Sequence, residues 1–164
     1  MGYPRHGLRQ PLAKGLRKAP WLAALLRYLY RLILPRFSAG VVGVILNAND
    51  EVLLVEHVFH PQYPWGLPGG WLGANEHPDE ALKRELREEA DLEIEVANLL
   101  LVESVRHFRH LDIAYLCQTE HKVGDLSAEL LDFRWVALDG LPTEMAPFHR
   151  AALAEAKRQK NFED

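Results

Sequence analysis

Three carboxylates, Glu85, Glu88 and Glu89, stand at i, i+3 and i+4 in this 164-residue chain. On an α-helix those positions are neighbours on one face. Three acids crowded there repel one another unless a cation sits among them, and an all-oxygen donor set of this kind suits Mg²⁺ and, nearly as well, Mn²⁺. The ordinary alternative is a solvated acidic helix, but the placement speaks against it. Like charges at i, i+4 cost a few tenths of a kcal/mol. Glu88 and Glu89 also fall late in the helix, where the macrodipole disfavours negative charge. Arg84 can pair with Glu88, though in the weaker Arg-first order.

The flanking residues indicate how such a helix would be held. Pro68-Gly69-Gly70 reads as a tight turn, since glycine supplies backbone conformations closed to other residues. Pro78 suits a first helical turn, where its missing N–H would be unbonded anyway. A helix is therefore predicted from Pro78 to Ala90. Leu82, Leu86 and Ala90 form its apolar stripe. At about 100° per residue, Glu85 and Glu89 lie beside that stripe, with Glu88 on the far side of Glu85. The acid edge is thus expected where helix meets protein.

Taken together, the fixed residues read Gly70-x5-Glu76-x7-Arg84-Glu85-Leu86-x-Glu88-Glu89-x-Asp91-Leu92. This 23-residue pattern resembles the Nudix box, and Trp65-Gly66-Leu67-Pro68-Gly69-Gly70 resembles the family's common approach to it. One position departs: Asp91 stands where the family has Gly. Asp tolerates the left-handed region better than most residues, so modest strain is expected there. The resemblance implies an α/β/α sandwich with a mixed sheet. It also implies metal-assisted hydrolysis of a pyrophosphate linkage, in a nucleoside diphosphate derivative or a nucleoside triphosphate. By the same carry-over, Glu85, Glu88 and Glu89 are metal ligands, joined by the backbone carbonyl of Gly69 or Gly70. Glu76 and Arg84 would orient the ligands. One carboxylate would take the proton of the attacking water. A further Glu reaches the site in several family members, and Glu129 is the best match, as base or extra ligand, with Glu103 and Glu120 as rivals.

The sequence says less about substrate. Arg106, Phe108 and Arg109 combine cations with an aromatic ring and could meet phosphate and base; a solvated hairpin edge is the plainer account. Tyr63 and Trp65 either line the pocket or pack. Eight histidines are present, yet no His/Cys group has convincing zinc spacing. Two other classes stay open: a catalytically silent nucleotide-binding or regulatory module, and an isomerase of the isopentenyl diphosphate type. The isomerase needs a cysteine near its pocket, whereas the lone Cys117 lies in an apolar run and reads as a small buried hydrophobe.

The net charge of −4 conceals a division. Residues 1–40 hold eight of the 19 Lys and Arg and none of the 23 acids, leaving eleven bases against 23 acids, a balance of −12. Residues 1–38 are expected to be a basic extension and residues 39–164 the catalytic domain. Within the extension, Leu22, Leu25, Leu26, Leu29 and Ile33 share one helical face and Arg27 and Arg31 another. The stretch is too short and too charged to span a bilayer. It reads as a helix on an anionic membrane surface, a helix packed on the body or on a second copy, or an organelle-targeting segment. A reducing, cytoplasmic setting, peripheral to the membrane at most, is expected. The anticipated partner is a small nucleotide-like molecule, with no nucleic acid. Beyond residue 40, runs at 41–46, 52–55, 92–102, 112–119 and 133–138 read as strands, a loop follows His57, and a final helix spans about 147–160.

Overall fold

A computed structural model describes residues 19–34, 36–105 and 108–163. Contacts divide the chain into two compact units, Met1–Arg36 and Phe37–Asp164. The described part of the first is α1 (Pro20–Ile33), with proline at its start and no buried residue. Among the described residues, no helix is long and apolar enough to cross a membrane.

The second unit is a seven-stranded mixed sheet with one helix on each face. Its strands are β1 (Ser38–Leu46), β2 (Glu51–His57), β3 (Trp65–Gly66), β4 (Gly69–Trp71), β5 (Glu95–Val105), β6 (His110–Gln118) and β7 (Leu130–Ala137), and its helices are α2 (Pro78–Ala90) and α3 (Pro147–Glu163). The order β3-β2-β1-β6-β5 has β1 and β6 parallel, with β4 added to β1 and β7 to β2. Period-two alternation assigns the faces. Val41 and Ile45 of β1 and Leu53 of β2 pack with Leu82, Leu86 and Ala90 of α2. Val44, Val52 and Leu54 pack with Ala152, Leu153 and Ala156 of α3. The sandwich expected from the sequence is what forms.

Two local readings change. Residues 65–71 are not simply loop and turn: Trp65 pairs with Glu56, and Gly69 and Gly70 pair with Val42 and Val41. Glycine serves a close approach here. A Cβ on Gly69 would lie 2.0 Å from the Val41 carbonyl oxygen, so any side chain would push β4 off β1. The strand reading at 92–102 moves to 95–105, because Leu92 and Ile94 turn inward to the core beneath α2.

Candidate active site

Helix α2 forms over the predicted span. Glu80 accepts the backbone N–H of His77 at 3.2 Å, which closes its first turn. Its end is set by Asp91 in the left-handed region (φ 45°, ψ 44°), with the Asp91 N–H returned to Arg87. The conformation expected of the usual glycine is thus adopted by aspartate. The loop after β6 then covers the helix end: Gly124 N–H donates to the Ala90 carbonyl at 2.9 Å and Ser127 N–H to that of Glu89 at 2.8 Å. Carbonyls that a helix leaves unpaired are satisfied in this way, and the same loop delivers Glu129 to the acid edge.

Leu82, Leu86 and Ala90 are fully buried, so the carboxylates beside them are drawn against the protein. The Glu85 side chain is 14 % exposed, while that of Glu88, one step round, is 60 % exposed. Glu89 is the most constrained. Its Oε2 is buried with no hydrogen-bond partner. Burial, then the charges of Glu85, Glu129 and Glu88, push its carboxyl up to about 7. Glu129 is therefore part of the cluster. Its rivals are not: Glu103 lies on β5 opposite Asp112, and Glu120 lines a separate cavity of about 710 Å³ at the ends of β1 and β6. None of Glu85, Glu88, Glu89 or Glu129 lines that cavity.

Arg84 ties the edge together. It makes a two-point contact with Glu76 (2.9 and 3.2 Å) and reaches Glu85 at 2.9 Å, Glu88 at 3.1 Å and the Trp71 carbonyl at 3.1 Å. Planar, forked guanidinium geometry suits such a role. Arg84 first, and the Gly73 amide second, hold the Glu76 carboxyl below its ordinary range. The Arg84 guanidinium is raised in turn, chiefly by Glu76. Gly70 faces the same carboxylates: a Cβ there would lie 2.3 Å from Cδ of Glu85. Only a bare backbone fits, which puts the main chain of β4 beside the acids.

The donor set fits a hard divalent cation. It is all oxygen, it carries excess negative charge, and one buried oxygen lacks any partner. Among the described residues no three acids or histidines already converge in a ligating arrangement. Nη1 of Arg84 instead holds both Glu85 and Glu88.

The residues proposed for substrate contact fare differently. Arg106 lies outside the described residues. Phe108, 79 % exposed, and Arg109 sit in the β5–β6 turn. Trp65 packs against the core on the α3 side, with the Arg134 guanidinium 3.4 Å over its ring. Cys117 is fully buried under α2, and burial pushes its thiol up to about 12, so it does not serve a pocket. Sequence reasoning missed Trp71, an exposed ring just past Gly70 that stacks edge-on with His110 at 5.1 Å. It also missed His149 of α3. The Nδ1 of that ring accepts the Leu67 N–H at 3.1 Å, on the approach to Gly69 and Gly70. Burial first, then His57 and His60, lower His149 to about 4 and keep it a neutral acceptor. A lone histidine in an alanine-rich helix gave no signal of this; the topology alone brings it to β3.

The NUDIX domain family model matches residues 36–156. An 8-oxo-dGTP diphosphatase of Proteus vulgaris is 35% identical over 85 residues, covering 49% of this chain and 74% of that protein. The human 8-oxo-dGDP phosphatase NUDT18 is 32% identical over 128 residues, covering 73% of this chain but 39% of its own. The crystal structure of a MutT NUDIX hydrolase from Burkholderia pseudomallei superposes with a TM-score of 0.64 at 26% identity, over 74% of this chain and 98% of that one. Fold, box and likeness together define a hydrolase acting on pyrophosphate bonds. Within that class, the chain belongs to the Nudix family.

Proposed function

We propose that the chain uses Mg²⁺ or Mn²⁺ to hydrolyse the pyrophosphate linkage of a nucleoside diphosphate derivative or a nucleoside triphosphate. Residues 39–164 form the catalytic domain and residues 1–38 an appended segment, in a cytoplasmic protein. The observation that carries this reading is the buried, unpartnered Glu89 oxygen among three further carboxylates, a cluster that calls for a cation. Glu85, Glu88 and Glu89 would hold it, with the Gly70 carbonyl adjacent. When bound, the ion neutralises charge on the phosphoryl oxygens and makes water a better nucleophile near neutral pH.

The protein's own part is positional. Arg84, anchored by Glu76 and the Trp71 carbonyl, fixes Glu85 and Glu88. The bare backbone at Gly70 lets the Glu85 carboxylate lie against β4. Glu129, held by the loop that covers the end of α2, stands next to Glu89, and one of the two takes the proton from water. The relatives' activities make oxidised guanine deoxynucleotides the first compounds to test. Intact ligand positions weigh against a silent module, and the burial of Cys117 under α2 weighs against an isomerase.

Product release from a panel of nucleoside triphosphates, 8-oxo-dGTP, 8-oxo-dGDP, dinucleotide polyphosphates and nucleotide sugars tests the reading. Wild type with Mg²⁺ or Mn²⁺ should cleave at least one compound. Glu89→Gln should lose about 10²–10⁴-fold in turnover, the range of a positioned acid–base group, with an unchanged circular dichroism spectrum. Metal-independent cleavage, or full activity in the Gln protein, contradicts it.

A further inference from the structure

The first unit carries an inference independent of the hydrolase reading. Helix α1 buries none of its residues. Trp21 is 70 % exposed and Ile33 78 %, and Leu25, Leu26, Leu29 and Leu32 are exposed as well. At about 100° per residue these six and Leu22 cover an arc of roughly 140°. Arg27 and Arg31 lie opposite the centre of that arc, and Tyr28 and Tyr30 fall at its two borders. Aromatic rings with a polar tip at each border, cations on the far face and a broad apolar face between them are the marks of a helix lying in a membrane interface.

Charge selects among occupants. The helix has no acid, nor has any residue from 1 to 40, while eight Lys and Arg fall there. Two such helices from two copies would lack acids to pair with their arginines, and the arc is wider than the narrow seam of a helix pair. An anionic lipid surface complements both the apolar arc and the cations. At 14 residues the helix is about 21 Å long, short of the ~30 Å hydrocarbon core, so it lies along the surface. We propose that α1 is a peripheral anchor that seats its apolar face, Leu22 to Ile33, in the interface of an anionic membrane, with Arg27 and Arg31 toward the headgroups.

The test uses the full chain with phosphatidylcholine vesicles with and without roughly 30 % phosphatidylglycerol, read by co-sedimentation and by Trp21 fluorescence, with Trp21→Phe as the spectral control. Anionic vesicles should bind the chain at least about tenfold more tightly than neutral ones, weaken with salt, and shift Trp21 to the blue. Leu25→Glu with Leu29→Glu should abolish binding, and Arg27→Ala with Arg31→Ala should reduce it about tenfold, with the thermal transition unchanged in both. Absence of binding to anionic vesicles overturns the proposal, as does binding that survives the paired leucine changes. A dimer lost on those leucine changes, without vesicle binding, overturns it too and assigns the face to a second copy.

Discussion

Helices α1 and α2 start alike and end differently. Each opens on proline, runs 14 or 13 residues and carries an apolar stripe of helical period. In α2 the stripe is fully buried against the sheet, while α1 buries no residue. Charge separates them further. α1 sets its cations opposite the apolar arc, where water or headgroups can reach them. α2 sets its acids at the margin of the buried stripe and late in the helix, where burial and the dipole both oppose them. A surface helix arranged for stability alone resembles α1 more than α2. We read charges placed against their own stability as the mark of a chemical site, and an apolar face left open as the mark of a docking face.

The comparison is broken most directly by truncating the stripes. Leu86→Ala in α2 removes a side chain with no exposed surface and should cost about 2–5 kcal/mol, read as a drop in the thermal transition. Leu29→Ala in α1, at a position 47 % exposed, should fall within about ±0.5 kcal/mol of wild type. Comparable losses at the two positions would erase the distinction.

A smaller effect sharpens the account of how the glycine strand is held. His149 is lowered to about 4 in the folded protein, against 6.5 for the free group. On acidification the unfolded chain takes up the proton first. Stability should therefore fall as pH drops from about 6.5 toward 4, by at most about 3 kcal/mol, and level off below. His149→Asn keeps an acceptor for the Leu67 N–H but cannot titrate, so its stability should be flatter across that window. Identical pH profiles for the two proteins would remove His149 from the device.

What the sequence made legible was local. The extent of α2, its buried stripe, the graded exposure of Glu85 and Glu88, and the left-handed turn at Asp91 all follow from periodicity, proline and the tolerance of aspartate for that region. Joining Glu129 to the cluster, rather than Glu103 or Glu120, depends on the loop that caps the end of α2, and the cap could be named only once its hydrogen bonds were known. Reading Pro68-Gly69-Gly70 as a turn missed the pairing of β4 with β1, because glycine permits a bend and a close approach alike. Trp71 lies beside Arg84 because β4 pairs with β1, and His149 meets Leu67 from a helix 82 residues further on, so no local pattern announced either. Phe108 and Arg109 have suitable chemistry and lie on the β5–β6 turn, where the next residue, His110, stacks on Trp71.

The central claim, that the acid edge of α2 is a cation site, is tested most directly by Mn²⁺ binding followed by electron paramagnetic resonance in wild type and Glu89→Gln. The account predicts saturable binding by wild type and at least about tenfold weaker binding by the variant, with Mg²⁺ competing for the same site. No binding by wild type, or equal binding by both proteins, would contradict it.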